Sequence, residues 1–517
     1  MAGTRQRLIL AVLVFSPIVI WMDNTILNTA FVRLADPDRG LGATPGELQW
    51  AVGSYTLVFA TLMFTAGALG DRFGHRTVLL VGMVVFGLSS VWAAYASSAA
   101  ELIAARAVMG VGSALAVPAT TAILTWAFTG PARAGAFGAV SISAGVGIAA
   151  GPVLAGVLLD HFWWGSVFLV NVPIVIVAVA AIGWVVPNFR SRTPRRLDFA
   201  GLLLSAGGLA ALVYGLIRAG QVAAWVRWDV AVPVAGGLVL LAVFVAVETR
   251  IHQPSFDPRL LTQRIFGGGN AALGLLFLAM TASTFYAAFY LQGARGYSPL
   301  AAGLAGALPA AVGVMLGAPL ATRLVARSSP RPVTVTGLAV AGLAMGCWSL
   351  LGLHTPLIWT EILSFVQGLA IGTVIAPVST AVMSAIPLDR AGAGSAVNNT
   401  VRQTGSVLGI AAGGTIMSIV YRSGIEDALT AAPAPVRDQA RISAEQARHA
   451  AAAAHRPGLA EAADRAFMHA MHVTSLWTMV IALAGAVVLA VALRPAGAPE
   501  PVAAPERERD EPAADRV

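Results

Sequence analysis

The chain has 517 residues, of which 57% are hydrophobic and 11% charged, with a formal net charge of +8. So little polar surface excludes a water-soluble fold. The apolar runs are continuous rather than alternating, which excludes a membrane β-barrel and leaves helices, the other structure that satisfies its backbone within lipid. The 33 basic residues are all arginine, spread over short loops, so the charge reads as membrane topology rather than a nucleic-acid surface; the single cysteine, Cys347, excludes an internal disulfide.

Fourteen apolar runs follow one another, near 8–34, 47–69, 76–97, 101–128, 135–159, 165–187, 199–218, 229–248, 266–293, 300–322, 332–352, 356–385, 392–421 and 473–493. Each is long enough to cross a bilayer as a helix. With the N-terminus in the cytoplasm, the short loops on that side hold sixteen arginines and those on the other side four. The positive-inside rule therefore predicts a multi-pass protein of the cytoplasmic membrane with both termini inside.

Span 1 carries Asp23, with Trp21 and Asn24 beside it, in WMDNTILNTAF. A carboxylate at membrane depth costs roughly 2.5–3.5 kcal/mol on insertion scales, so Asp23 needs a cavity or a partner. Arg106 on span 4 is the expected partner, because the two depths differ by only about 6 Å at ~1.5 Å per residue. The pair can be a fixed brace between spans 1 and 4 or a switch that opens when Asp23 takes up a proton, and the two readings are compatible.

Between spans 2 and 3 the stretch GALGDRFGHRTVLL places Asp71, Arg72, His75 and Arg76 in a tight turn, with Gly67 and Gly74 expected to permit close backbone approach. It reads as a latch, docking through Asp71 on the N-terminus of span 13 near Gly392, or more plainly as a basic loop with one neutralising acid. Span 5 carries GVGIAAGPVLAG. Gly147, Gly151 and Gly156 suit close helix packing in lipid, and Pro152 removes a backbone hydrogen bond.

In span 9, Phe285, Tyr286, Phe289 and Tyr290 are expected to form one aromatic wall, suited to flat lipophilic molecules and to cations. An interfacial aromatic belt is the alternative. Span 12 adds Glu361 and Gln367. Span 13 adds Asn398 and Arg402, the latter about 16 Å from the cytoplasmic end and without an evident partner. Residues 422–472 read as an outside loop, partly helical, and 494–517 as a disordered tail. His469 and His472 lack a third ligand, and no GxxxxGK[ST] loop is present, so neither a metal, a cofactor nor bound ATP is expected.

The chain also repeats itself. GIAAG occurs at 147–151 and 409–413, MGVGSALAVP at 109–118 has a cousin in QGLAIGTVIAP at 367–377, and GAPLATRLVAR at 317–327 is a degraded copy of the charged turn. The offsets predict two six-helix halves, 1–187 and 266–493, related by an axis along the membrane normal, with spans 7 and 8 (188–265) as an inserted hairpin.

With MDNTILNTAF (22–31), RAVMGVGSA (106–114), FLVNVP (168–173), LDFAGLLL (197–204), YSPLAAGL (297–304) and GAGSAVNNTVRQTG (392–405), these segments resemble the fourteen-helix drug:proton antiporter branch of the major facilitator superfamily. The resemblance implies a transporter and not an enzyme. It implies export of lipophilic drugs or antibiotics, cationic ones included, in exchange for protons, by alternating access. It places proton coupling on Asp23 and Arg106, the latch on Asp71, Arg72 and Arg76, and the antiport helix on Gly147, Gly151, Pro152 and Gly156. Met109, Gly165, Val32 and Ala155 depart from the residues usual in that family. A monomer working with a small-molecule substrate, protons and the bilayer is expected. Export of a metabolite or siderophore made by the cell, proton symport and a non-transporting receptor are the alternatives.

Overall fold

The computed structural model describes residues 2–190, 198–224, 226–251, 258–386, 391–430 and 432–494. The tail from residue 495 lies outside these, as do Arg192, Arg195, Arg196 and Arg390. The described chain is helical throughout: α1 (Arg5–Ala35), α2 (Pro45–Phe73), α3 (His75–Ala94), α4 (Ala99–Ala127), α5 (Gly130–His161), α6 (Ser166–Val185), α7 (Phe199–Val222), α8 (Trp228–Glu248), α9 (Arg264–Ala294), α10 (Pro299–Arg327), α11 (Pro330–Leu350), α12 (Leu357–Ser384) and α13 (Ala391–Leu429), then two short helices, α14 (Ala434–Ala440) and α15 (Ala444–Ala453), and finally α16 (Pro457–Ala492). Among the described residues thirteen helices are long and apolar enough to span a membrane, or fourteen when α2, bent by 54° between Met63 and Thr65, counts as one. The fourteen apolar runs thus all appear as helices.

Local chemistry sets the starts. Thr44 and Glu47 form a reciprocal capping box at α2, and Ser98 and Ser443 accept the amides of Glu101 and Gln446 at α4 and α15. The repeated motifs have equivalent packing roles. On α5 a Cβ at Gly147 would lie 2.5 Å from the Ile18 carbonyl of α1; on α13 Gly409 abuts Leu278 and Gly413 abuts Ala282 of α9. Likewise Gly110 of α4 lies against Tyr55 of α2, and Gly368 of α12 against Ala310 of α10. Small residues allow this approach where lipid supplies no hydrophobic drive.

The bundle end that carries the N-terminus is called proximal here, and the other distal. At the distal end the segment read from sequence as a partly helical outside loop is mostly helix. α13 continues to Leu429, and α14 and α15 fold back over the distal ends of the longer helices, with Tyr421 donating to the Ala440 carbonyl at 2.9 Å. Helices α7 and α8 pack on each other. α7 also lies against both α2 and α13 through Leu57, Leu209, Val213, Ile217, Val407 and Ala411.

Candidate functional site

Asp23, just past the middle of α1, faces α4 and α6. Its carboxylate receives Arg106 Nη1 at 2.5 Å and Asn171 Nδ2 from α6 at 3.0 Å. Both charges are sealed, at 0% and 1% exposure. Arg106 also donates from Nε to the Ala51 carbonyl at 3.2 Å and lies 4.4 Å from the centre of the Tyr55 ring, whose hydroxyl pairs with Ser113 at 2.8 Å. Paired charges in a low-dielectric core are tolerable when their remaining hydrogen-bonding positions are filled, which Asn171, Ala51 and Tyr55 do here. Asp23 therefore meets a partner and not the open space between the halves. Asn24 lies beside the Tyr55 hydroxyl, and Trp21 is half-buried. Asn171, which also donates to Ser90 Oγ at 3.4 Å, and Tyr55 and Ser113 were not singled out from sequence. A lone amide in the valine-rich start of α6 was the available signal for Asn171.

The glycine helix α5 packs on α1 one turn from Asp23. Gly147 and Gly151 face Ile18, Met22 and Thr25. Pro152 has no N–H for the Ile148 carbonyl, and Thr25 Oγ1 approaches that carbonyl at 3.4 Å. Further along, Gly156 meets Leu300 of α10, and the Pro152 carbonyl would lie 2.8 Å from a Cβ on Gly303. The same distal end holds Phe31 of α1 stacked on Phe289 (centroids 6.1 Å) and edge-on to Phe285 (5.4 Å), with Gln292 Nε2 donating to the Thr29 carbonyl at 3.0 Å. Helices α1 and α5 thus meet α9 and α10 at the distal end.

The charged turn is tighter than its sequence reading. Asp71 and Arg72 belong to the last turn of α2, and only Gly74, at φ +95°, breaks the helix. Gly67 approaches nothing; the close contact is Gly70 against the His75 ring. Asp71 pairs with His75 at 3.3 Å and has no other ion pair or side-chain hydrogen bond among the described residues. Arg76 donates to the Gly183 carbonyl, and the His75 amide to Phe189 at 2.9 Å, so the turn is stapled to the end of α6. A side chain at Gly74 would meet strained backbone and the Asn188 amide. A G74A variant is expected to lose about 1 kcal/mol or more of stability, read as an earlier thermal transition in detergent.

On α9 the expected aromatic wall divides in two. Phe285 and Phe289 turn towards Phe31, whereas Tyr286 and Tyr290 pack edge-on against Trp348 of α11 at 5.7 and 5.9 Å. Positions i and i+1 lie 100° apart on a helix, and here a different neighbour occupies each side. Gln367 donates to Ser283 at 2.9 Å and Asn398 to Asn270 at 2.8 Å, so both amides tie their helices to α9 instead of lining open space. Glu361 is half-buried near the distal end of α12. Arg402 rests on a face, 4.5 Å from the centre of the Phe277 ring.

Residues 13–410 match the Major Facilitator Superfamily. The chain belongs to this superfamily. Among curated relatives, the multidrug efflux pump LfrA of Mycolicibacterium smegmatis is 33% identical over 95% of this chain and 97% of its own length. The puromycin resistance protein of Streptomyces alboniger is 32% identical over 78% and 80%, and the cephamycin export protein of Amycolatopsis lactamdurans 36% over 75% and 81%. Among solved structures, a bacterial homologue of the human lysosomal transporter Spinster, inward-facing and unoccupied, superposes with a TM-score of 0.65 at 15% identity, covering 94% of this chain and 97% of that one, which bears on the fold alone. The chain is thus a multi-pass membrane protein of a transporter superfamily with drug and antibiotic efflux proteins among its relatives.

Proposed function

We propose that this protein exports lipophilic small molecules across the cytoplasmic membrane in exchange for protons, by alternating access between residues 1–187 and 266–493. Both termini lie in the cytoplasm, the distal end faces outward, and the 188–265 hairpin straddles the moving halves. The observation that carries the reading is the sealed Asp23–Arg106 pair, one turn from the glycines on which α5 packs against α1. A proton on Asp23 removes the charge that Arg106 faces. Arg106 then keeps the Ala51 carbonyl, the Met109 sulfur and the Tyr55 and Phe168 rings but no opposing charge, and the α1–α4 brace loosens. One charge moved across the membrane is worth about 2.3 kcal/mol per 100 mV, enough to bias the exchange. The closed distal junction supports an inward-facing state, in which Asp71 is undocked and held by His75.

The test is transport by purified full-length protein in vesicles loaded with lipophilic dyes. An imposed proton gradient should drive dye against the direction of proton flow, and an ionophore that collapses the gradient should stop it. Dye movement with the protons, or indifferent to them, overturns antiport. The named export proteins for cephamycin and tetracenomycin C among the relatives favour a second reading of the cargo, a compound that the cell itself makes.

A further inference from the structure

The arginines of the described membrane region are not all matched by an acid or a carbonyl. Asp23 and Arg106 neutralise one another. Arg33 and Arg76 sit near opposite ends and donate to the carbonyls of Leu159 and Gly183, and Arg218 pairs with Asp229 at 3.0 Å at the distal end. Arg402 has no acidic partner and no hydrogen bond among the described residues, although it lies eleven residues inside α13, roughly 16 Å from its proximal end. Glu361, the membrane acid left on the same half, is 23 residues from the proximal end of α12, about 35 Å along the axis. The two are therefore about 20 Å apart in depth and cannot pair.

The helical geometry says where Arg402 looks. α9 turns Gly268 to α16, Gly269 to α12 and Gly274 to α13. The face left over carries Phe277, Thr281 and Thr284, and Thr284 is exposed in mid-helix. Arg402 lies on Phe277 at 4.5 Å and is half-buried beside this face of α9. The aromatic groups that could have held a cation there are engaged elsewhere, Phe285 and Phe289 by Phe31, Tyr286 and Tyr290 by Trp348.

We propose that Arg402 is the substrate-recognising cation of the cavity, and that the preferred cargo is an apolar molecule bearing one carboxylate or a comparable anionic group. A guanidinium presents a planar fork of donors that matches a carboxylate bidentately, and stacking on Phe277 fixes the plane of that fork. The hydroxyls of Thr281 and Thr284 lie on the same face of α9. This inference rests on the export reading and names its substrate class.

The experiment uses the full-length protein, wild type and with R402Q or R402K, and three probes: a lipophilic carboxylate dye, its uncharged methyl ester, and tetraphenylphosphonium. Binding is measured in detergent without a proton gradient, and export is measured in vesicles. Wild type should bind the carboxylate at least tenfold more tightly than the ester. R402Q should lose most of that preference, and R402K should keep part of it. A carboxylate-to-ester ratio unchanged in R402Q, or a wild type that prefers the cation, overturns the assignment. Preferential carboxylate binding without gradient-driven movement of any probe would instead overturn export and leave the assignment standing. If R402Q does not fold, the carboxylate-to-ester ratio in R402K decides: a ratio equal to wild type overturns recognition by a bidentate fork.

Discussion

D23N is expected to abolish proton-driven efflux. Asparagine keeps the shape of the side chain, but it cannot exchange a proton and leaves the Arg106 guanidinium sealed without an opposing charge. Removing one partner of a buried ion pair typically costs about 3–5 kcal/mol, so a drop in folded protein is part of the expected result. The double variant D23N/R106Q separates the two effects. Neutralising both members removes the uncompensated charge, so the amount of folded protein should recover towards wild type while gradient-driven transport stays absent. Efflux by D23N or the double variant at wild-type rates would show that the pair is only a brace. A double variant that regains transport together with folding would say the same.

The second large effect concerns the distal junction. Leucine at Gly156 would overlap the Leu300 backbone of α10, and overpacking of this kind costs typically about 1–3 kcal/mol. The penalty falls only on the conformation in which α5 and α10 touch. G156L should therefore shift the population towards the distally open state by roughly tenfold or more, since about 1.4 kcal/mol is a factor of ten. Membrane-impermeant reagents applied outside should then reach cysteines placed at Phe31 or Phe289, which the junction buries in the parent. Steady-state export should fall because the closed state is seldom revisited. Unchanged labelling would mean that this contact does not set the equilibrium.

The span count was readable from sequence because a bilayer imposes a minimum apolar length, and every expected run became a helix. The glycines of α5 were readable for a related reason: in lipid, small residues mark where backbones touch. Residue spacing also brought Asp23 and Arg106 to similar depths, and the structure places them together. What spacing cannot carry is the identity of the neighbour. Phe285 and Tyr286 are adjacent in the chain but meet different helices, and Gln367 and Asn398 are taken up by Ser283 and Asn270, residues far from them in sequence. The charged turn failed differently. Glycine tolerates both a bend and a close approach, and only the backbone angle at Gly74 separates it from Gly67. The α14–α15 segment was expected to be partly helical, but its polar, alanine-rich composition fits a solvated loop as well and did not show where the short helices fold.

That segment is anchored at both ends to the second half, through α13 and α16, and it overhangs the first. His449 of α15 comes within 3.9 and 4.0 Å of Asp36 and Asp38 in the α1–α2 turn, and no covalent link joins the two sides. It behaves as an awning fixed to one wall of a doorway: when the walls part, the awning must travel with its own wall and come away from the opposite sill. On the export reading, a nanobody that grips α15 and the 36–39 turn together is expected to bolt that doorway from the street side and to stop transport without entering the cell.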